Sequence, residues 1–407
     1  MNLPQHTKES YQAMSHFNCI SKLLDLQGLL VDSENIYETD DAIILPVYTE
    51  KSTQTCPYCG SHTSKVHDYR FQLVKDIPFR RKVLYLKLKK RRYVCPHCGK
   101  RFFEHYDFLP RYYHSTSRLY ANILLDLKSK SSFKDIASNN FVSTNTVSRT
   151  LKLVGFSNMP PLPVALGIDE FKGNCDKQKY HVQLTNLADK KTLDILICRK
   201  KEYLRSYFSR YSREERLKVK YLVIDMWDDY KRLSYLFPNA KVIVDKFHYV
   251  RQIFWGMDGV RKHVQKDLPK DKRKMFKKLR YLMYKDYVKL NEEEKQTLHN
   301  MLEHNVDLEN AWLLKEAFQD MLKSKEKQAT LADLWKWIET AKELKLPEFE
   351  NCIKALTNWR HYIVESFSVP YTNAFTEGKH NLIKVLKRNA FGFRNFENFR
   401  KRILLSA

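Results

Sequence analysis

Two short runs, "CPYCG" at 56–60 and "CPHCGKRF" at 95–102, constrain this chain more than anything else in it. Each is a Cys-x-x-Cys pair followed by a glycine, Gly60 or Gly99, that frees the turn bringing backbone amides toward the thiolates. Of the eight cysteines, Cys19, Cys175, Cys198 and Cys352 are scattered, whereas Cys56, Cys59, Cys95 and Cys98 make the two pairs. In a reducing compartment such pairing indicates metal rather than disulfides. Four thiolates form a closed tetrahedral set with no open position, so one structural Zn2+ is expected. His62, His67, His97 and His105 are spare candidates that the four sulfurs make unnecessary.

The 35 residues between the pairs must form a long hairpin. Within them "VLYLKLKKRRYVC" alternates apolar and basic residues at period two, the pattern of a strand with a cationic face. Residues 75–101 hold eleven Lys or Arg and a single acid, Asp76. Arg91 and Arg92 on that strand are expected to neutralise phosphates without reading sequence; a merely solvated basic face is the plain alternative. The whole chain of 407 residues points the same way. Its 72 Lys and Arg against 47 acids give +25, with 24 Tyr and 23 Phe alongside. That balance calls for a polyanionic partner, and base-stacking aromatics fit nucleic acid better than a membrane surface. No apolar run approaches the ~18 residues of a membrane span, and Met1–Glu9 lacks a signal pattern. A cytoplasmic protein is expected.

Residues 1–18 read as polar and loose, "ISKLLDLQGLL" as a short helix and "AIILPVY" as a strand. "SFKDIASNNFVSTNTVSRTLKLV" reads as two short helices joined by a turn, the second capped by Ser143 or Thr144. Its Thr146 and Arg149, on the exposed side, would contact base edges if the pair is a helix-turn-helix. "PPLP" at 160–163 marks a linker. Three strand patterns then precede alternating helix and strand, which indicates an α/β core with a mixed sheet. From Val260 to Glu377 there is no glycine, and 3.6-period stretches such as "MFKKLRYLMYKDYVKL" predict an all-helical insertion. The expected segments are 1–50, a zinc-binding hairpin module at 51–110, the helix pair at 111–160, the α/β core at 161–255, the helical insertion at 256–370 and a closing helical part at 371–407.

Three carboxylates stand out. In "LGIDEF" neighbouring side chains point to opposite faces of a strand, so Asp169 and Glu170 cannot share a site. "YLVIDMW" ends a buried strand with Asp225, where an unpaired charge is costly. "TNAFTEGKHNLIKVLKR" (372–388) places Glu377 on a helix; at about 100° per residue, Asn373, Glu377, Asn381 and Lys384 share a wet face, and Phe375, Gly378, Leu382 and Leu386 a packed one. Taken singly, each is as well explained by a cap, a turn or a solvated face. Converging on one point, they would repel unless divalent cations lay between them. Two hard cations roughly 3.5–4 Å apart suit an in-line phosphodiester displacement. "DKFH" adds Asp245 and His248, three residues apart.

"GIDEF", "IDMWDDY", "VDKFHYVRQ" and "TNAFTEGKHNLIKVLKRNAFGFRNFENFRKRIL", preceded by the paired cysteines, resemble the ISL3 family of bacterial insertion-sequence transposases, from about residue 20 to the C-terminus. The resemblance implies an RNase H-like core, a DDE triad of Asp169, Asp225 and Glu377, and two catalytic Mg2+ or Mn2+. It implies double-stranded DNA as partner, both terminal inverted repeats and target, near the bacterial nucleoid, and a homodimer or higher assembly. Asn373, Asn381, Lys384 and Arg388 would then face DNA, and Asp245 and His248 would support the metal ligands or handle DNA. The expected activity is metal-dependent DNA cleavage and strand transfer. The alternatives are a transposase-derived DNA-binding regulator and a nuclease without strand transfer.

Overall fold

The computed structural model describes residues 20–406 apart from Lys22, Gln27 and 324–329; the polar leader at 1–18 lies outside the described residues. The chain divides at Gly155 into two compact units, with Arg388–Phe391 grouped with the first.

The first unit is a six-stranded sheet built on one long antiparallel hairpin, Val66–Phe79 with Lys82–Val94. Ala42–Tyr48 runs parallel to the second arm, and Arg101–Phe103 extends its far end. Arg80 and Arg81 turn the hairpin with φ of 53° and 61°, the left-handed geometry of a two-residue loop. The alternation on Lys82–Val94 changes phase. Leu84, Leu86 and Leu88 face a core with Leu45, Val47 and Val74, whereas beyond Lys89 it is Arg91 and Tyr93 that are buried. The strand thus serves a core on one face in its first half and the cysteine cluster on the other face in its second. The helix expected at 20–30 is short, because Asp25 and Gly28 adopt φ of 53° and 77° and Leu30 begins a strand.

Asp76, the lone acid of the basic run, is fully buried and accepts hydrogen bonds from Thr116 Oγ1 (2.6 Å) and Arg118 Nε (2.9 Å). It ties the hairpin to the helix Ser117–Asp126, which Thr116 also caps. Two short helices follow, Phe133–Asn139 with a capping box from Ser132 and Asp135, and Thr144–Leu153 capped by Ser143. These Ser and Thr oxygens satisfy amides that the first turn leaves free.

The second unit is organised by a five-stranded sheet in the order Lys191–Leu196, Gln178–Asn186, Ala165–Cys175, Tyr221–Ile224, Lys241–Val244. The first three are antiparallel, and the last two run parallel to Ala165–Cys175. Leu166, Ile168, Leu222, Ile224 and Val244 face a core continuous with the helical segment, including Phe208, Met257, Phe318 and Trp337. On the opposite face lie Ala165, Val223 and Ile243, packed with Leu187, Val369 and Tyr371, and Phe171 and Ile195, covered by the helices Ala374–Asn389 and Phe396–Ser406. Between Lys246 and Glu365 every regular element among the described residues is helical.

Candidate metal centres

The four cysteines come together at the end of the long hairpin. Cys56 Sγ lies 3.7 Å from Cys98 Sγ, and Cys59 Sγ lies 3.6 Å from Cys95 Sγ. All four sulfurs fall within 4.8 Å of one another. A tetrahedron with Zn–S of about 2.3 Å has edges of about 3.8 Å, so the sulfur set fits that ion. The two knuckles repeat one backbone plan: Gly60 N–H donates to Cys56 O and Gly99 N–H to Cys95 O, both at 2.9 Å. The glycines take φ of 75° and 68°, which a side chain would strain. The Ser61 backbone amide favours the Cys59 thiolate, while burial and the neighbouring cysteines push the Cys98 thiol up.

The second cluster is assembled from the sheet and one helix. Ile168, Ile224 and Val244 are aligned across three adjacent strands, so the residues that follow them, Asp169, Asp225 and Asp245, emerge at one level. They share the face of Val223 and Ile243, toward the Ala374–Asn389 helix. Glu170 points to the other face and pairs with Arg199 at 2.6 Å, as strand alternation requires.

The helix presents Glu377 here, though not through the face its sequence suggested. Its buried residues are Thr376, His380, Ile383 and Leu386. Thr376 Oγ1 donates to Thr185 Oγ1 at 3.1 Å, and His380 packs on Phe171. Gly378 faces open space, with nothing within 4 Å of an added Cβ, so it permits no close approach. Glu377 sits at the edge of the buried stripe, half-buried, beside Asp245 and His248. Asn373 is another correction: it is fully buried rather than DNA-facing. Gly167 makes room for it, since a Cβ there would lie 3.0 Å from Asn373 Oδ1. Its backbone N–H donates to Asp245 Oδ1 at 2.9 Å.

Electrostatics bind the carboxylates together. Burial, then the Asp225 charge, pushes the Asp169 carboxyl well above the usual range. Burial raises Asp245, and burial followed by the Asp245 charge raises Glu377. Asp245 Oδ2 is buried with no hydrogen-bond donor among the described residues. His248 Nε2 comes within 2.8 Å of Asp225 Oδ1, out of line for a hydrogen bond. In this cluster, among the described residues, it is Asp245, His248 and Glu377 whose ligand atoms lie within 4.8 Å of one another, and a hard divalent cation there would offset both the mutual repulsion and the lost hydration.

His380 escaped the sequence reading. Its Nδ1 lies 3.7 Å from Asp169 Oδ2, and burial lowers its pKa to about 4, keeping the ring neutral. The signal was available, because "EGKH" repeats the acid-x-x-His spacing of "DKFH".

The DNA-binding candidates separate into those tied to a carboxylate and those exposed. Arg91 is 8% exposed and held by Glu104 at 3.2 Å, so its guanidinium is committed inside the fold and not to a phosphate. Arg92 grips Asp68 through two hydrogen bonds, at 2.9 and 2.6 Å. Asn381, Lys384, Arg388 and Arg149 are exposed, and Thr146 is half-buried in the first turn of its helix.

Comparison with known proteins gives two family matches and two relatives. A family model for ISL3-type DDE transposases, described as "Transposase", matches residues 166–403, more than half of the chain. A second, described as the zinc-finger of transposase IS204/IS1001/IS1096/IS1165, matches residues 52–98. The transposase for insertion sequence element IS1001 of Bordetella parapertussis is 25% identical over 378 residues, covering 88% of this chain and 91% of that protein. A Lactococcus lactis protein named as an ATP-dependent protease is 38% identical over 63 residues, 15% of this chain and 20% of its own length.

Proposed function

The chain belongs to the ISL3 family of transposases, and from that premise we propose that it cuts DNA at the ends of an insertion sequence and joins the freed 3′-hydroxyl to a target, using Asp169, Asp225 and Glu377. The observation that carries this reading is the row of aspartates emerging at one level from three adjacent strands, faced by a helical glutamate, with burial and mutual repulsion raising Asp169 and Glu377. The strand order, three antiparallel strands followed by two parallel ones, supports an RNase H-like core. Two Mg2+ or Mn2+ held there would activate water or a 3′-hydroxyl and stabilise the leaving oxygen.

The residues around the site have separable roles in this reading. Asp245 and His248 each bring a ligand atom within 4.8 Å of Glu377, so both are further candidate ligands. Arg251 Nη2 donates to His248 Nδ1 at 3.3 Å and leaves Nε2 toward the carboxylates. A neutral His380 leaves Asp169 its charge for a cation. Asn381, Lys384 and Arg388 would follow the DNA backbone.

In the first unit, the cysteines would hold one Zn2+ that fixes the end of the hairpin. The exposed Lys87 and Lys89, rather than Arg91, become the phosphate-contacting candidates on that strand. The capped helix pair supports a helix-turn-helix whose Arg149 and Thr146 read element ends. The finer segment boundaries, assembly as a homodimer or larger on DNA, and a cytoplasmic location belong to the same proposal; among the described residues no helix is long and apolar enough to cross a membrane. The test is to incubate purified protein with labelled element ends, target DNA and Mg2+ or Mn2+, then map nicks and joints. Joints at end 3′-hydroxyls are expected. Nicks alone would identify a nuclease, and binding without nicks a regulator.

A further inference from the structure

We propose that the outer face of the helix Lys246–Lys266 is a stacking platform for an unpaired base of the DNA end, formed by Phe247, Arg251 and Trp255. It rests on the reading of the chain as a DNA-cutting enzyme and names the state of the substrate. The three residues stand one helical turn apart on one face. Phe247 is 49% and Trp255 56% exposed. The Arg251 guanidinium lies 5.0 Å from the Phe247 ring centroid and 4.7 Å from that of Trp255. The fold does not need these rings outside, because the helix already buries Tyr249, Ile253, Met257 and Val260 on its other side.

The platform runs directly into the carboxylate cluster. Phe247 meets the His248 ring edge-on with centroids 5.7 Å apart. Arg251 donates to His248 Nδ1, and the opposite edge of that ring is 2.8 Å from Asp225. An aromatic surface interleaved with an arginine suits a nucleobase face without regard to sequence, and the guanidinium attracts the adjoining phosphate. Bases inside a duplex are already stacked on each other. The platform therefore takes only a nucleotide that has left the stack, so it would hold the DNA open beside the scissile bond.

The test uses the full-length protein and end duplexes carrying 5-iododeoxyuridine at successive positions around the cut. Long-wavelength irradiation should crosslink one position to the 246–266 segment, and the crosslink should disappear in Trp255→Ala. With saturating protein, Trp255→Ala and Phe247→Ala should cut fully paired ends about tenfold or more slower, with end affinity unchanged. They should regain the wild-type rate on ends carrying a mismatch at the crosslinked position, and Trp255→Phe should keep most of the rate on paired ends. No crosslink to this segment from any position, or wild-type rates from both alanine variants on paired ends, would overturn the platform. The crosslink needs no cleavage, so a wild-type protein that never cuts would count against the proposed function while the platform was still being decided.

Discussion

The two metal-type centres differ in how they are made. The sulfur cluster is drawn from two loops 35 residues apart on one hairpin, and its spacing already matches the ion. The carboxylate cluster is drawn from strand ends and a helix as far apart as Asp169 and Glu377, and its groups repel one another as they stand. The first is a structural clamp whose geometry the backbone dictates. The second stores unfavourable charge that a bound cation or substrate can relieve, which is how a reactive site differs from a staple.

The largest effect expected from breaking this contrast is at the sulfur centre. Structural zinc in small modules contributes roughly 10–16 kcal/mol, so a strong chelator should unfold the 52–103 region while the second unit keeps its structure. Hydrogen exchange of each unit with and without chelator checks it; protection that stays unchanged in the hairpin would make the cysteines ordinary core residues.

Next comes Asp76, the buried carboxylate that ties the hairpin to the helix Ser117–Asp126. Asp76→Ala removes the buried acceptor shared by Thr116 and Arg118, while Arg118 keeps its bonds to the Leu24 and Asp25 carbonyls, and should cost about 1–3 kcal/mol. Thermal unfolding should show the loss in the first unit alone. Gly173→Ala is the counterpart in the second unit. An added Cβ would lie 1.9 Å from the His181 ring, an overpacking cost of about 1–3 kcal/mol that disturbs the strand of Asp169 without touching a carboxylate. If this variant lost DNA cleavage as completely as a carboxylate variant, strand geometry rather than charge would be limiting. The smallest effect is at Gly378, exposed on the Glu377 helix. Gly378→Ala should stabilise by about 0.5–1 kcal/mol through helix propensity, and destabilisation would mean that the helix packs there after all.

The same contrast explains what the sequence made legible. Cys56, Cys59, Cys95 and Cys98 announce themselves through local spacing, and the long hairpin follows from the gap between them. The sheet of the second unit was readable from its apolar runs, and Glu170 from alternation. The facing of the Glu377 helix was not. An unusual stripe, Asn373, Thr376 and His380, packs on the sheet, since the strands offer Gly167 to Asn373, Thr185 to Thr376 and the Phe171 ring to His380. Arg91 was misread for a related reason: a strand serving two cores on opposite faces switches its buried side midway, and period-two alternation carries no mark of the switch.

The central claim is that Asp169, Asp225 and Glu377 act as one metal-holding unit. Cleavage and joining of labelled element ends by Asp169→Asn, Asp225→Asn, Glu377→Gln and their double combinations, with end binding followed in parallel, tests it most directly. Each single variant should lose about three orders of magnitude or more of the cleavage rate, the doubles should lose little beyond the singles, and binding should persist. A Glu377→Gln protein that cuts at the wild-type rate, or losses that multiply in the doubles, would contradict the account.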